Sequence, residues 1–276
     1  MVAVGFTRPD GLAILAVRQG PAEFRLQRYT LKGQLEASLA SLPRKGGAAW
    51  PANGCVSACA LSSPDGYTDV WGIVGGEMQV VGNGGGRPHK LHVKGSGHPS
   101  CVPLTWWDDS TVLANCVAAG GAGGTTQLWL LSTNGGPPTP LTNAAGSASG
   151  NGDIQGAWQA NGAVYITQVS FNQCPNVPSG PGGLNIVRLG QGGSTAAITI
   201  RGSTHNVSTV VATDGSRLLV LTQTQCPGTS SLLWINPSTG ATQVAVNAPG
   251  NEVGVIAAVP FGNGPTAITS GQFSSG

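Results

Sequence analysis

The apolar residues of this chain come in short runs. LAILAV (12–17), TVLANCV (111–117), AVYITQV (163–169) and RLLVLTQ (217–223) are bounded by clusters of Gly, Pro, Asn, Asp and Ser. Runs of this length, rich in Val, Leu, Ile and Thr, read as β-strands. No stretch keeps apolar residues at i, i+3, i+4 and i+7 over three turns, so the pattern predicts no long helix. The segments between strands carry turn chemistry. In Ser63-Pro64-Asp65-Gly66 the proline presets φ and the glycine accepts a positive φ. Pro9-Asp10-Gly11 repeats the same triplet between similar strands.

That turn recurs with a period. Asp10, Asp65, Asp109, Asn161, Asp214 and Asn263 each mark a strand-turn-strand unit, spaced by about 50 residues, with about four short strands per unit. The downstream strands keep the same phase. Leu128–Leu131, Leu184–Leu189 and Leu232–Ile235 each run into a Gly-containing turn and a further strand, as in hairpins. The pattern predicts an all-β protein with the fold of a β-propeller of six blades. Five blades are complete, at 1–42, 43–95, 96–143, 150–201 and 202–247. A partial sixth occupies 248–276, and all six form a single domain. An irregular β-sandwich is the alternative architecture.

The segments SSPDG-YTDVWGIV and LWLLSTNGG-PPTPLT resemble the repeat of the TolB-like (WD40-like) six-bladed propeller family. The resemblance covers nearly the whole chain and is clear at 9–11, 63–66 and 128–142. It implies a ring closed by pairing strands from both chain ends. The expectation is therefore that the strands completing the sixth blade lie upstream of Met1, or that the ring closes in another way. It also implies an exported bacterial protein, and the Ala/Gly/Thr bias agrees with a bacterial origin. A propeller specifies architecture far better than activity.

Composition narrows the partners. The 44 glycines and 19 prolines punctuate many short elements, and only 9% of residues are charged. A net charge of +2 implies no face for nucleic acid. The one basic stretch, Arg87 to Lys94, reads as a solvated outer strand, and on a strand His89 and His92 point to opposite sides. No apolar run reaches the length of a transmembrane helix, and MVAVGFTRPDG has none of the parts of a signal peptide.

The six cysteines are the strongest chemical signal. In the propeller phase all six fall in, or beside, the loops at one face of the disc. Cys101 and Cys116 lie symmetrically about Asp108-Asp109, which in an even-membered hairpin sets them directly opposite each other. Cys174 and Cys226 occupy matching Gln-Cys-Pro contexts, and Cys55 pairs with Cys59 by elimination; sequence alone allows other connectivities. Three bridges imply an extracytoplasmic compartment, whether secreted, at the cell surface or as a lipoprotein; six buried free thiols in a cytosolic protein are the alternative. The absence of a CxxC pair argues against zinc.

No nucleophile elbow, H-E-x-x-H, P-loop or EF-hand is present. Asp153, His205 and Glu252 each precede the first strand of a unit. In a propeller they converge at the channel mouth, where they could hold a cation or polar ligand or form a hydrated rim. Trp50, beside Asn53, is a candidate for a sugar- or peptide-binding surface, or for packing over the adjacent blade. Trp129 and Trp234 occupy matching positions that read as inter-blade core. The reading is a non-enzymatic binding propeller for a protein, peptide or cell-wall glycan, within a larger membrane-anchored protein or on its own. The alternative is a metal-dependent propeller enzyme of lactonase or lyase type.

Overall fold

A computed structural model describes residues 1–7, 12–44, 50, 58–73, 78–82, 84–91, 93, 100–117, 126–141, 154–170, 183–190, 193–200, 206–224, 230–248, 254–259 and 267–271. Every regular element among them is a strand. Sheet 1 contains β1 (Val2–Thr7), β2 (Ala13–Gln19), β3 (Glu23–Thr30) and β4 (Leu35–Pro43). Sheet 2 contains β5 (Ala58–Ser62), β6 (Thr68–Ile73), β7 (Met78–Gly82) and β8 (His89–Leu91). Sheet 3 contains β9 (Ser100–Trp106), β10 (Thr111–Val117), β11 (Thr126–Ser132) and β12 (Thr139–Pro140). Sheet 4 contains β13 (Ile154–Ala160), β14 (Ala163–Ser170), β15 (Gly183–Gly190) and β16 (Gly193–Ile200). Sheet 5 contains β17 (Asn206–Thr213), β18 (Leu218–Thr224), β19 (Ser230–Ile235) and β20 (Thr242–Ala248). A two-stranded sheet pairs β21 (Gly254–Val259) with β22 (Ala267–Gly271). All are antiparallel meanders in which sequential strands are hydrogen-bonded neighbours.

The recurring turn joins the first two strands of sheets 2, 3, 4 and 5, and in sheets 2, 3 and 5 a side-chain oxygen organises it. Asp65 Oδ1 accepts the Tyr67 N–H at 3.0 Å, and Ser63 Oγ accepts the Thr68 N–H at 3.0 Å. Asp108 Oδ1 accepts Ser110 N–H at 2.8 Å, and Asp214 Oδ1 accepts Ser216 N–H at 2.9 Å. Each aspartate bonds the backbone two residues on, which mimics a backbone turn. The third repeat is thus anchored by Asp108, one residue before the phase marker Asp109. In sheet 4 Asn161 (φ 50°) and Gly162 (φ 68°) form a two-residue hairpin loop of the kind that needs positive φ at both positions. Asp10 and Asn263 lie outside the described residues.

The chain divides into two compact units, 1–149 and 150–276. In the first, sheets 1, 2 and 3 stack face to face, and β5 packs against both β1 and β9. Alternation along β6 sends Trp71 into a cluster with Leu15, Val17, Phe24 and Leu26 of sheet 1. It sends Val70 the other way, into a cluster with Val112, Ala114 and Leu131 of sheet 3. In the second unit β17 packs against β13, β14 and β15, and β21 packs against β17. Leu218 and Val220 of β18 face a cluster with Tyr165 and Ile186 of sheet 4, and Leu219 faces the opposite side. Sheets buried on both faces need near-continuous apolar runs, as the sequence shows.

Polar bonds join neighbouring sheets at their turn ends. Asn161 N–H donates to Gly215 O at 2.8 Å, its Nδ2 to Ser216 O at 2.9 Å, and Thr213 Oγ1 to Gln159 O at 3.0 Å. Arg217 bridges within sheet 5: its guanidinium meets Asp214 at 2.8 Å, donates to Gln243 at 2.9 Å, and lies 4.8 Å from the Trp234 ring centre. Burial raises the Asp214 pKa, but hydrogen bonds from Ser216 and Arg217 outweigh it and hold the carboxyl at about 2. Trp129 and Trp234 flank the clusters of sheets 3 and 5 half-buried, short of full core positions.

Two elements differ in extent from the expected pattern. β12 is only two residues long, because Pro137, Pro138 and Pro140 supply no N–H to a ladder; Leu141 N–H adds one further bond to Leu128 O. β8 is a short exposed outer strand, as the basic stretch predicts, and His89 Nε2 lies 3.2 Å from Thr133 O of sheet 3.

Gly72 sits where sheets 2 and 3 approach most tightly. A Cβ there would lie 3.2 Å from Met78 Cα and Cβ and 3.3 Å from the Cys101 carbonyl oxygen. None of these atoms is the end of a flexible side chain. Gly72→Val is expected to lower stability by about 1–3 kcal/mol in urea denaturation through overpacking.

Candidate binding face

The cysteines give one end of the sheets its chemistry. Cys101 opens β9 and Cys116 lies near the end of β10, and they form a disulfide. They face each other directly in the β9–β10 ladder. The register that puts them there has two parts. The hairpin is centred on Asp109, pairing Trp106 with Val112, which alone would offset the two cysteines by one residue. A bulge in β9 opposite the Leu113–Ala114 step absorbs that residue and restores the pairing. Cys59, at the start of β5 and so at the corresponding end of sheet 2, is also disulfide-bonded. Its partner lies outside the described residues, as do Cys55, Cys174 and Cys226; no described cysteine is free.

Asp153, His205 and Glu252 also lie outside the described residues. Among the described residues no three His, Cys, Asp or Glu side chains come together as a metal-ligand group.

Trp50 is a correction. It is only 6% exposed, so it is not a surface platform for a ligand. Its ring meets Phe24 edge-on at 5.4 Å and tilts against Trp71 at 6.2 Å, and its backbone N–H donates to Gln19 Oε1 at 3.3 Å. The connection entering sheet 2 uses this indole as a plug between sheets 1 and 2, where a large apolar ring gains more from burial than from exposure.

One buried ionisable residue went unnoticed in the sequence. Asp69 of β6 is fully buried between sheets 1 and 2. Thr7 Oγ1, at the end of β1, donates to its Oδ1 at 3.0 Å, and Ser62 Oγ, at the end of β5, donates to Thr7 Oγ1 at 3.1 Å. The signal was parity: Asp69 shares its side of β6 with Trp71, and a carboxylate in phase with a buried tryptophan is itself inside.

Two measurements follow. Replacing Cys101 and Cys116 together by serine is expected to cost about 3 kcal/mol in chemical denaturation, the chain-entropy value for a loop of this length. Trp50→Ala is expected to cost about 3–5 kcal/mol as a core truncation, with a matching fall in the denaturation midpoint.

No family model and no curated protein sequence matches the chain. Solved structures do. A protein of Agrobacterium tumefaciens assigned as TolB superposes with a TM-score of 0.58 at 14% identity, over 99% of this chain and 90% of its own. An oligogalacturonate lyase in complex with manganese gives 0.53 at 11% identity, over 90% of this chain and 67% of the lyase. Oligopeptidase B from Leishmania major gives 0.53 at 7% identity, over 92% of this chain and 42% of the peptidase. At these identities the likeness speaks for architecture alone, and with the all-β meander sheets it establishes that the chain has a TolB-like β-propeller fold.

Proposed function

We propose that this protein is a non-catalytic interaction propeller, exported from the cytoplasm, that presents a disulfide-stapled loop face to a protein or peptide partner, with a cell-wall glycan as the other candidate ligand. Its meander sheets are read as the blades of one six-bladed domain, β21 and β22 being the first two strands of the sixth. The Cys101–Cys116 disulfide carries the proposal. It ties the first two strands of sheet 3 together at the end away from their turn, where both cysteines are buried, so it fixes the points at which the adjoining connections meet the sheet. Such a bond persists in an oxidising compartment and is rare in a reducing one. Among the described residues no helix is long and apolar enough to cross a membrane.

A metal-dependent enzyme of lyase or lactonase type is the second reading. It is favoured by the fold likeness to a manganese-bound lyase and would place a cation on Asp153, His205 and Glu252. The two readings part on one experiment. Protein purified with its disulfides intact is analysed for metal, then tested for binding to purified peptidoglycan and to a library of surface-exposed peptides. The interaction reading expects saturable binding that is weakened at least tenfold in the Cys101→Ser/Cys116→Ser variant, and no metal dependence. Stoichiometric divalent metal that disappears in Asp153→Ala, with turnover of a polyuronide or lactone, would replace it. Alkylation of intact cells followed by non-reducing mass mapping is expected to find Cys101 and Cys116 joined; labelled free thiols at both would place the protein in a reducing compartment.

A further inference from the structure

Asp69 has two carboxylate oxygens in unlike surroundings. Oδ1 is held across the sheet boundary by Thr7, whereas among the described residues no group hydrogen-bonds Oδ2. Its cross-strand neighbours are Ser62 on β5 and Val81 on β7. Val81 belongs to the same apolar cluster as Trp71 and Trp50. Among the charged groups of the surrounding elements, Arg28 of β3 acts on Asp69 from sheet 1, but its Nε is engaged by Glu36 of β4 at 3.0 Å. Asp65, in the turn before β6, is engaged by Ser63 and the Tyr67 N–H. β1 and β7 contain no ionisable side chain, and the one in β5, Cys59, is disulfide-bonded. Arg18 of β2 is exposed, and its place in the strand alternation puts it on the opposite side from Leu15 and Val17. His89 and Lys90 are exposed on the outer strand β8; Arg8 and Asp10 lie outside the described residues.

We propose that Asp69 is a proton-operated latch between sheets 1 and 2. When the carboxyl is neutral it suits its apolar setting and the two sheets stay closed. When it ionises, its Oδ2 carries charge where no protein donor meets it, which favours openings of the β1–β6 contact that admit water. Burial pushes the Asp69 pKa up, and the neighbouring Ser62 and Thr7 hydroxyls and the Arg28 charge only partly offset this, leaving it at about 6. The sign follows from linkage. A carboxyl whose pKa is higher in the closed form than in the open form favours closure fully below about pH 4, and that contribution is lost as pH rises through about 6. The proton's differential affinity for the two forms sets the limit of the effect, on the order of 100-fold in the opening equilibrium.

Hydrogen exchange of the full chain, read by mass spectrometry between pH 4.5 and 8 and corrected for intrinsic rates, tests this. Protection in peptides covering β1 and β6 is expected to fall by on the order of 10- to 100-fold as pH rises toward about 6 and to level off above it, while peptides of β18 stay level. Asp69→Asn is expected to abolish the pH dependence. Thr7→Val, which removes the bond that favours the charged form, is expected to move the pH at which protection levels off upward. Level protection in β1 and β6 of the wild type would overturn the latch, and so would pH dependence that survives in Asp69→Asn. If Asp69→Asn does not fold, a Thr7→Val profile superimposable on wild type would overturn it as well.

Discussion

Burial of both faces of a sheet is the constraint on which the rest of this structure depends. A four-stranded meander in isolation would leave one apolar face in water. Here sheet 2 lies between sheets 1 and 3, and sheet 5 carries a packed cluster on each side. Successive residues of β6 and β18 therefore serve different clusters, and neither face can be surrendered to polar residues without a partner. The low charge content follows from this, and so does the placement of charge in turns and outer strands.

The same constraint explains where polar groups join neighbouring sheets. Between sheets 4 and 5 they lie at the turn ends, Asn161 exposed and Thr213 half-buried, and both donate to backbone carbonyls of the adjoining sheet. Between sheets 1 and 2 Thr7, Ser62 and Asp69 form a short chain at the corresponding turn ends. The first arrangement is closed, with donors meeting acceptors. The second leaves a carboxylate oxygen unmatched among apolar neighbours, which makes it responsive to protons where the other is inert. One kind of junction thus serves as a fixed staple in one unit and as a titratable one in the other.

The loop-bearing end of the sheets obeys different rules. Its described cysteines are buried or bonded within strands, so the bridge of sheet 3 fixes the departure points of loops without itself being a contact surface. A propeller with such an end can diversify its loops while leaving its sheets unchanged, which is the usual division of labour between scaffold and site. The likeness to proteins as different as a TolB-type protein and a lyase at 14% and 11% identity agrees with that division.

Local chemistry alone determined much of this protein. Pro-Asp-Gly, Asn-Gly and Asp-Gly between β-branched runs specify hairpins through dihedral preference and side-chain-to-backbone bonding, and those interactions span a few residues. The strands, which are the regular elements among the described residues, and the turns that join the first two strands of sheets 2 to 5 were legible for that reason. Cys101–Cys116 was legible too, although counting about the turn centre succeeded only because a one-residue offset of the hairpin and a bulge cancel. Tertiary structure alone decided the rest. Trp50 admits both a surface and a packed reading until Phe24 and Trp71, from two different sheets, are seen to enclose it. Asp69 looks like an ordinary strand residue until sheet 1 covers it, because desolvation depends on neighbours distant in the chain.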